Sequence, residues 1–445
     1  MKRKKKTGKW LLLFLLLCVM YKADVSAGTF TYPPDTDGEL VIVIDPGHGG
    51  ENLGADYNGF LEKEMNMIVA NAMYAELEKY EDITVYLTHT SAEDDMTIQE
   101  RADFAASVNA DFVFCLHFNM SPENKLFGSE VWVSAFGEEN RQGYRFGCIQ
   151  METMRDMGLF LRGVKTRLND RGTDYYGILR FCEEYGIPAA LIEHCHIDHE
   201  QDVDFCDSEE DLIAFGIADA TAVAKFFGLK SEELQVDYSV GAIDILPPGT
   251  LYAQPDTTDP DICIIEEAYR NQEERTVGIT VTGCDYDSPM LYYSYSIDGG
   301  VTFTPYLAWP DSDVMAGESP DTFTFEVEIP EGVSPSFVVR GINQYDRYTE
   351  SNLLTGYPVF TATPEEVLET VEQENALDTA KDVSDGNGNG GFKAPERKAT
   401  KKSDTFGQFL LICLFIAGIL FVTLFITNLI QAGRKRQKRR RKKRR

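Results

Sequence analysis

The stretch from Val41 to Met67 constrains this 445-residue chain more than any other. Val41-Ile42-Val43-Ile44 is a short β-branched run bounded by turn residues, which reads as a buried strand. Asp45-Pro46-Gly47 breaks it, and His48 follows. Gly49 and Gly50 behind the histidine allow a sharp turn that leaves the imidazole uncrowded. Glu62 then opens an amphipathic helix with the apolar stripe Met65, Ile68, Val69, Ala72, Met73 and Leu77. Close to a helix N-terminus the dipole favours an ionised carboxylate, the form that binds a metal. A Gly-rich turn after a strand also suits a phosphate loop. No Gly-Lys-Ser/Thr follows, so neither a Walker-type site nor a dinucleotide partner is expected.

From residue 39 to residue 229 strands and helices alternate. Strands are expected at Val41–Ile44, Ile83–Thr88, Asp111–Leu116, Glu130–Ser134 and Ala189–Ile192. Helices are expected at Lys63–Glu78, Ile98–Val108, Arg141–Asp156 and Glu210–Phe227, the second opened by a Thr97/Glu100 capping box. The alternation predicts an α/β domain with a twisted, largely parallel sheet flanked by helices. His48 falls just past strand one, and His117 and Glu193 fall at the ends of two later strands. Open parallel sheets bind ligands beyond the carboxyl ends of their strands. Glu62 belongs at the same edge, so two histidines and two glutamates converge on one rim. Two His with one carboxylate and an open fourth position is a catalytic zinc set.

At these residues the domain resembles the zinc-dependent N-acetylmuramoyl-L-alanine amidases, in the type 3 catalytic-domain family. The resemblance runs from about Leu40 to Gly228. It rests on D-P-G-H-G-G at 45–50, G-A at 54–55, E-K-x-x-N at 62–66 and L-T at 87–88, then I-x-x-R at 98–101, L-H-x-N at 116–119 and P-A-x-L-I-E at 188–193. It implies a Zn2+ ion on His48, Glu62 and His117, with Glu193 as the catalytic glutamate. Glu64 competes with Glu62 on spacing, but the E-K-x-x-N pattern favours Glu62. It also implies the substrate, the peptidoglycan amide that joins the lactyl group of N-acetylmuramic acid to L-alanine. Asp45 is either a turn residue or the group that orients His48. The chain departs from the family at Cys115, at His89 and at His194-Cys195-His196-Ile197-Asp198-His199. That last run reads as surface and supporting residues, with a second metal site as the alternative. Two other functions stay open: a zinc peptidase cutting a stem-peptide bond, and an inactive wall-binding or activator protein.

The remainder divides by composition. Residues 230–249 read as a linker, and 250–360 alternate like a small all-β sandwich with a weak fibronectin- or immunoglobulin-like look. With no acid/base cluster of its own, this module is expected to be dispensable for chemistry. Cys263 and Cys284 lie in it, and their pairing is left open. Residues 361–405 have the composition of a disordered linker. Residues 1–27 read as a signal peptide, cleaved or retained as an anchor, and 28–38 as a lead-in. Phe409–Ile430 is almost wholly apolar, so 406–431 is expected to cross a bilayer as a helix. The basic tail 432–445 is then cytoplasmic and the body extracytoplasmic. The two ends hold 18 of the 42 basic residues and one of the 72 acidic ones, so the body is more acidic than the net charge of −30 suggests. Such a body repels nucleic acid, which is not expected as a partner.

Overall fold

The computed structural model of the chain describes residues 39–239 and 255–361. The proposed signal peptide and lead-in, residues 240–249 of the linker, and the 362–405 segment, transmembrane helix and basic tail lie outside the described residues. Among the described residues no helix is long and apolar enough to cross a membrane.

The β-branched run forms β1 (Leu40–Pro46), and Ile42, Val43 and Ile44 are wholly buried. Alternation sends Ile42 and Ile44 to one face of the sheet and Val43 to the other. A short hairpin, β2 (Asp56–Tyr57) and β3 (Phe60–Leu61), leads into helix α1 (Glu62–Leu77). Then come β4 (Ile83–Leu87), α2 (Ile98–Ser107), β5 (Phe112–Asn119), β6 (Ser129–Val133) and α3 (Gly137–Met157). β7 (Leu161–Lys165), α4 (Gly177–Glu184), β8 (Ala189–His196) and α5 (Glu209–Phe227) complete the layers. The Thr97/Glu100 capping box closes the start of α2 in both directions.

The six strands stand in the order β4-β1-β5-β8-β6-β7. The sheet is mixed: β6 runs antiparallel to β8, and the other pairings are parallel. Side chains of α1, α3 and α5 share one core with the sheet, and those of α2 and α4 share another on the opposite face. The result is three layers with helices on both sides. Helices α1 and α5 meet at Gly216, where an added Cβ would lie 2.5 Å from the Val69 carbonyl oxygen and 2.6 Å from the Ala72 Cβ. Beyond α5, β9 (Lys230–Ser231) and β10 (Val236–Asp237) form a hairpin tied back to the first domain by the Ser231 hydroxyl, which donates to Lys79 O at 2.6 Å.

Residues 255–361 build two antiparallel sheets. One holds β11 (Ile262–Asn271), β12 (Thr276–Cys284) and β15 (Thr322–Glu328). The other holds β13 (Met290–Ser296), β14 (Leu307–Ala308), β16 (Val338–Asn343) and β17 (Tyr348–Glu350). Both sheets feed one core that includes Val277, Ile279, Val281, Trp309 and Phe337. Cys263 and Cys284 are both free. Cys263 faces Gly283 and Cys284 faces Ile262 across the β11–β12 ladder. An offset of one residue turns their side chains to opposite faces of the sheet. Close contact of α1 with α5 makes Gly216 a sharp probe of this packing. Gly216→Val should destabilise the first domain by about 1–3 kcal/mol, the usual cost of overpacking. A melting temperature equal to that of the unaltered chain would contradict the packing described.

Candidate metal centre

The loop after β1 is held from three sides. Gly47 N donates to Leu116 O at 2.8 Å, which clips the loop to β5. Asn66, wholly buried on α1, donates its side-chain amide to Gly47 O at 3.1 Å, and Lys63 donates to Gly50 O at 3.0 Å. Arg101, from the start of α2, donates to Pro46 O at 2.6 Å and to His48 O at 2.5 Å. These bonds hold His48 in the left-handed region, at φ 66°. The E-K-x-x-N and I-x-x-R patterns thus have mechanical roles, with Lys63, Asn66 and Arg101 fixing the loop that presents His48.

His48 Nε2 lies 3.1 Å from Glu62 Oε2, and His117 Nδ1 lies 2.9 Å from Glu62 Oε1. The Glu62 carboxylate also accepts the backbone N–H groups of Ala55 at 2.7 Å and Phe118 at 3.0 Å. Burial alone would raise its pKa, but the hydrogen bonds from His117 and His48 prevail and hold it well below the usual carboxylate range. Burial pulls the His48 pKa down, and the Glu62 hydrogen bond and charge outweigh it, so the net shift is upward. Glu64 is exposed on the same helix and takes no part. Two glycines make room for this cluster. An added Cβ at Gly47 would fall 2.3 Å from the His117 ring, and one at Gly54 would fall 2.4 Å from Glu62 Oε2.

Asp45 does not orient His48. Its carboxylate accepts from Arg101 at 2.8 Å, from the Thr88 hydroxyl at 2.6 Å and from the Cys115 thiol at 3.1 Å. The second nitrogen of His48 instead faces Asn52 Oδ1 at 3.0 Å. Asn52 lies on the loop that folds back from Gly49, and the sequence offered no pattern that marked it.

Glu193 sits on β8 opposite His117 on β5. Its Oε2 is buried with no hydrogen-bond partner. Burial pushes the Glu193 pKa well above the ordinary glutamate value, and the nearby Glu62 and Glu130 carboxylates push it further. His48, Glu62, His117 and Glu193 all line one cavity of about 490 Å³, together with Tyr176 and Met96. The four residues singled out from the sequence therefore share a single site.

The run from His194 to His199 is buried and has other partners. His194 bridges His117 O at 2.9 Å and Asp219 Oδ2 at 2.8 Å. His196 Nδ1 faces Gly128 O at 3.1 Å, and Asp198 accepts from Ser121 N at 3.0 Å. His199 stacks on Phe127 with ring centroids 4.8 Å apart. These residues line the back of the rim and make no second metal cluster. Among the described residues, His48, Glu62 and His117 form the one group of three close enough to share an ion, with ligand atoms within 4.8 Å of one another. Ligand atoms around a tetrahedral zinc at 2.0–2.1 Å stand about 3.3 Å apart. The two His–Glu62 separations of 3.1 and 2.9 Å are near that spacing, and the donor set fits zinc in number and type.

Known proteins resemble the first domain in sequence. The sequence profile of the family described as N-acetylmuramoyl-L-alanine amidase matches residues 42–225. The chain is 29% identical over 161 residues to N-acetylmuramoyl-L-alanine amidase LytC of Bacillus subtilis (strain 168), covering 36% of this chain and 30% of that protein. It is 28% identical over 189 residues to N-acetylmuramoyl-L-alanine amidase CwlM of Bacillus licheniformis, covering 42% of this chain and 69% of that one. Among solved structures, Cwp6 from Clostridium difficile aligns at 26% identity over 43% of this chain and 30% of its own, with a TM-score of 0.40. The chain thus spans less than a third of the length of LytC and of Cwp6. Residues 42–225 thus match the N-acetylmuramoyl-L-alanine amidase family, type 3.

Proposed function

We propose that this chain is a zinc-dependent peptidoglycan hydrolase that cleaves the amide between N-acetylmuramic acid and L-alanine. The observation that carries the reading is one cavity walled by His48, Glu62, His117 and Glu193. His48, Glu62 and His117 hold the ion. When bound there, zinc acidifies a water and polarises the scissile carbonyl. Asn52 accepts the Nδ1–H of His48 and so leaves the Nε2 lone pair free for the metal. The backbone N–H groups of Ala55 and Phe118 orient the Glu62 carboxylate in the same way. Glu193 takes the proton of the attacking water and passes it to the departing amino group of L-alanine. Its unpaired buried oxygen and raised pKa support that role, because a base that must also act as an acid works best near the operating pH.

The test is digestion of purified peptidoglycan, with identification of the ends released. New L-alanine amino termini with intact muramic acid are expected. New amino termini elsewhere in the stem peptide would make the enzyme a peptidase, and no release would leave a binding protein. In the same assay Glu193→Gln should keep its zinc while the rate falls by roughly 10²–10⁴, the usual contribution of a positioned acid or base. Loss of zinc from that variant would show Glu193 to be a ligand.

We further propose that the enzyme is exported and tethered by residues 406–431. The uncharged apolar run and the eleven basic residues of 432–445 support this topology. Protease added to intact cells should remove the folded domains and spare the basic tail. A tag placed after Arg445 that is stained without permeabilisation would refute the orientation.

A further inference from the structure

The all-β module is seated on the catalytic domain through a set of charges centred on one buried arginine. Arg162 on β7 is almost wholly buried, and its guanidinium makes four hydrogen bonds to three residues. Nε donates to Glu130 Oε2 at 2.8 Å, within the catalytic domain. The other donors reach the module: Nη1 donates to the Tyr292 hydroxyl at 2.9 Å, and Nη2 donates to both Asp346 oxygens at 2.9 and 2.7 Å. The Tyr292 hydroxyl in turn donates to Phe127 O, and Gln344 donates to Arg162 O at 3.1 Å. Around these bonds Phe127, Leu291, Tyr292 and Ile342 form a small core shared by the two domains.

The chain of contacts continues from Arg162 to the rim. Glu130 Oε2 also accepts from Lys165 at 2.7 Å, while its Oε1 accepts from Asn119 at 3.0 Å and from Trp132 Nε1 at 3.1 Å. Asn119 lies two residues past His117 and lines the cavity. Glu130 stands directly across from Glu193 in the β6–β8 ladder, and Glu193 stands across from His117 in the β8–β5 ladder. Cross-strand partners project from the same face of a sheet. His117, Glu193 and Glu130 therefore form one row, and two carboxylates side by side repel unless one has its own cations. Arg162 and Lys165 supply them. Most of what aims the Arg162 head belongs to the module.

We propose that the β-module is a built-in part of the active site, with Asp346 and Tyr292 acting as positioning residues that hold Arg162, and through it Glu130 and Asn119, behind Glu193. This runs against the expectation that residues 250–360 are dispensable for chemistry. It rests on the amidase reading for its catalytic consequence and on geometry alone for the linkage.

The test uses the full chain labelled with 5-fluorotryptophan. Tryptophans are few, and Trp132 reports on Glu130 directly. Asp346→Asn should shift the Trp132 signal, retain zinc, and lower kcat by about ten- to a hundredfold with KM little changed, as misplacement of a catalytic group does. Asp346→Glu should restore both signal and kcat. If Asp346→Asn does not fold, Tyr292→Phe removes one bond to Arg162, together with the bond to Phe127 O, and should give the same changes in smaller degree. An unmoved Trp132 signal would overturn the linkage. A moved signal with unchanged kcat would overturn the positioning role. An unaltered chain that releases no L-alanine termini would refute the amidase reading, while the fluorine signals would still decide the linkage.

Discussion

The site depends on one carboxylate. Glu62 is buried at the first position of a helix, between two histidines, with two backbone N–H groups on its oxygens. An ionised carboxylate is costly to bury unless each oxygen is paired. Every element near the site helps to meet that demand. The loop from Gly47 to Gly54 brings His48 to one oxygen and the Ala55 N–H beside it, and β5 brings His117 and the Phe118 N–H to the other. Glycine at positions 47 and 54 is then a steric requirement, since any side chain there would occupy the space of His117, Glu62 and His48.

Around this centre the domain uses buried charge as scaffolding. Arg101 neutralises Asp45 and at the same time ties down the His48 loop. Arg162 and Lys165 neutralise Glu130 on the far side of Glu193. Glu193, near Glu62 and Glu130, is left with a bare oxygen and a pKa raised chiefly by burial. Buried pairs of this kind add little net stability, but breaking one leaves an uncompensated charge, so they enforce a single geometry. The general base proposed at Glu193 would benefit from that stiffness.

Much of the site was legible because its residues follow local rules. A β-branched run broken by Asp-Pro-Gly marks β1 and its loop, and strand-end positions mark His117 and Glu193. The direction of β6 was not legible, because alternation is the same read either way along a strand. Strand β7 was missed because Arg162 and Lys165 look like surface residues, and only their buried partners explain them. The eight-residue α4 has no side-chain cap at its start to announce it. Asn52, rather than Asp45, faces His48 because the loop doubles back, a path no spacing encodes. The seating of the module was hidden for the same reason: Arg162 meets Asp346 across a sequence separation of 184 residues.

The central claim is that His48, Glu62 and His117 hold one zinc ion while Glu193 does not. X-ray absorption at the zinc edge, on the chain as purified and on Glu62→Ala, tests it most directly. One zinc per chain in a shell of two imidazoles and oxygen ligands is expected, with loss of that shell when Glu62 is removed. A sulfur-containing shell, or zinc bound unchanged in Glu62→Ala, would contradict it and move the metal to another part of the molecule.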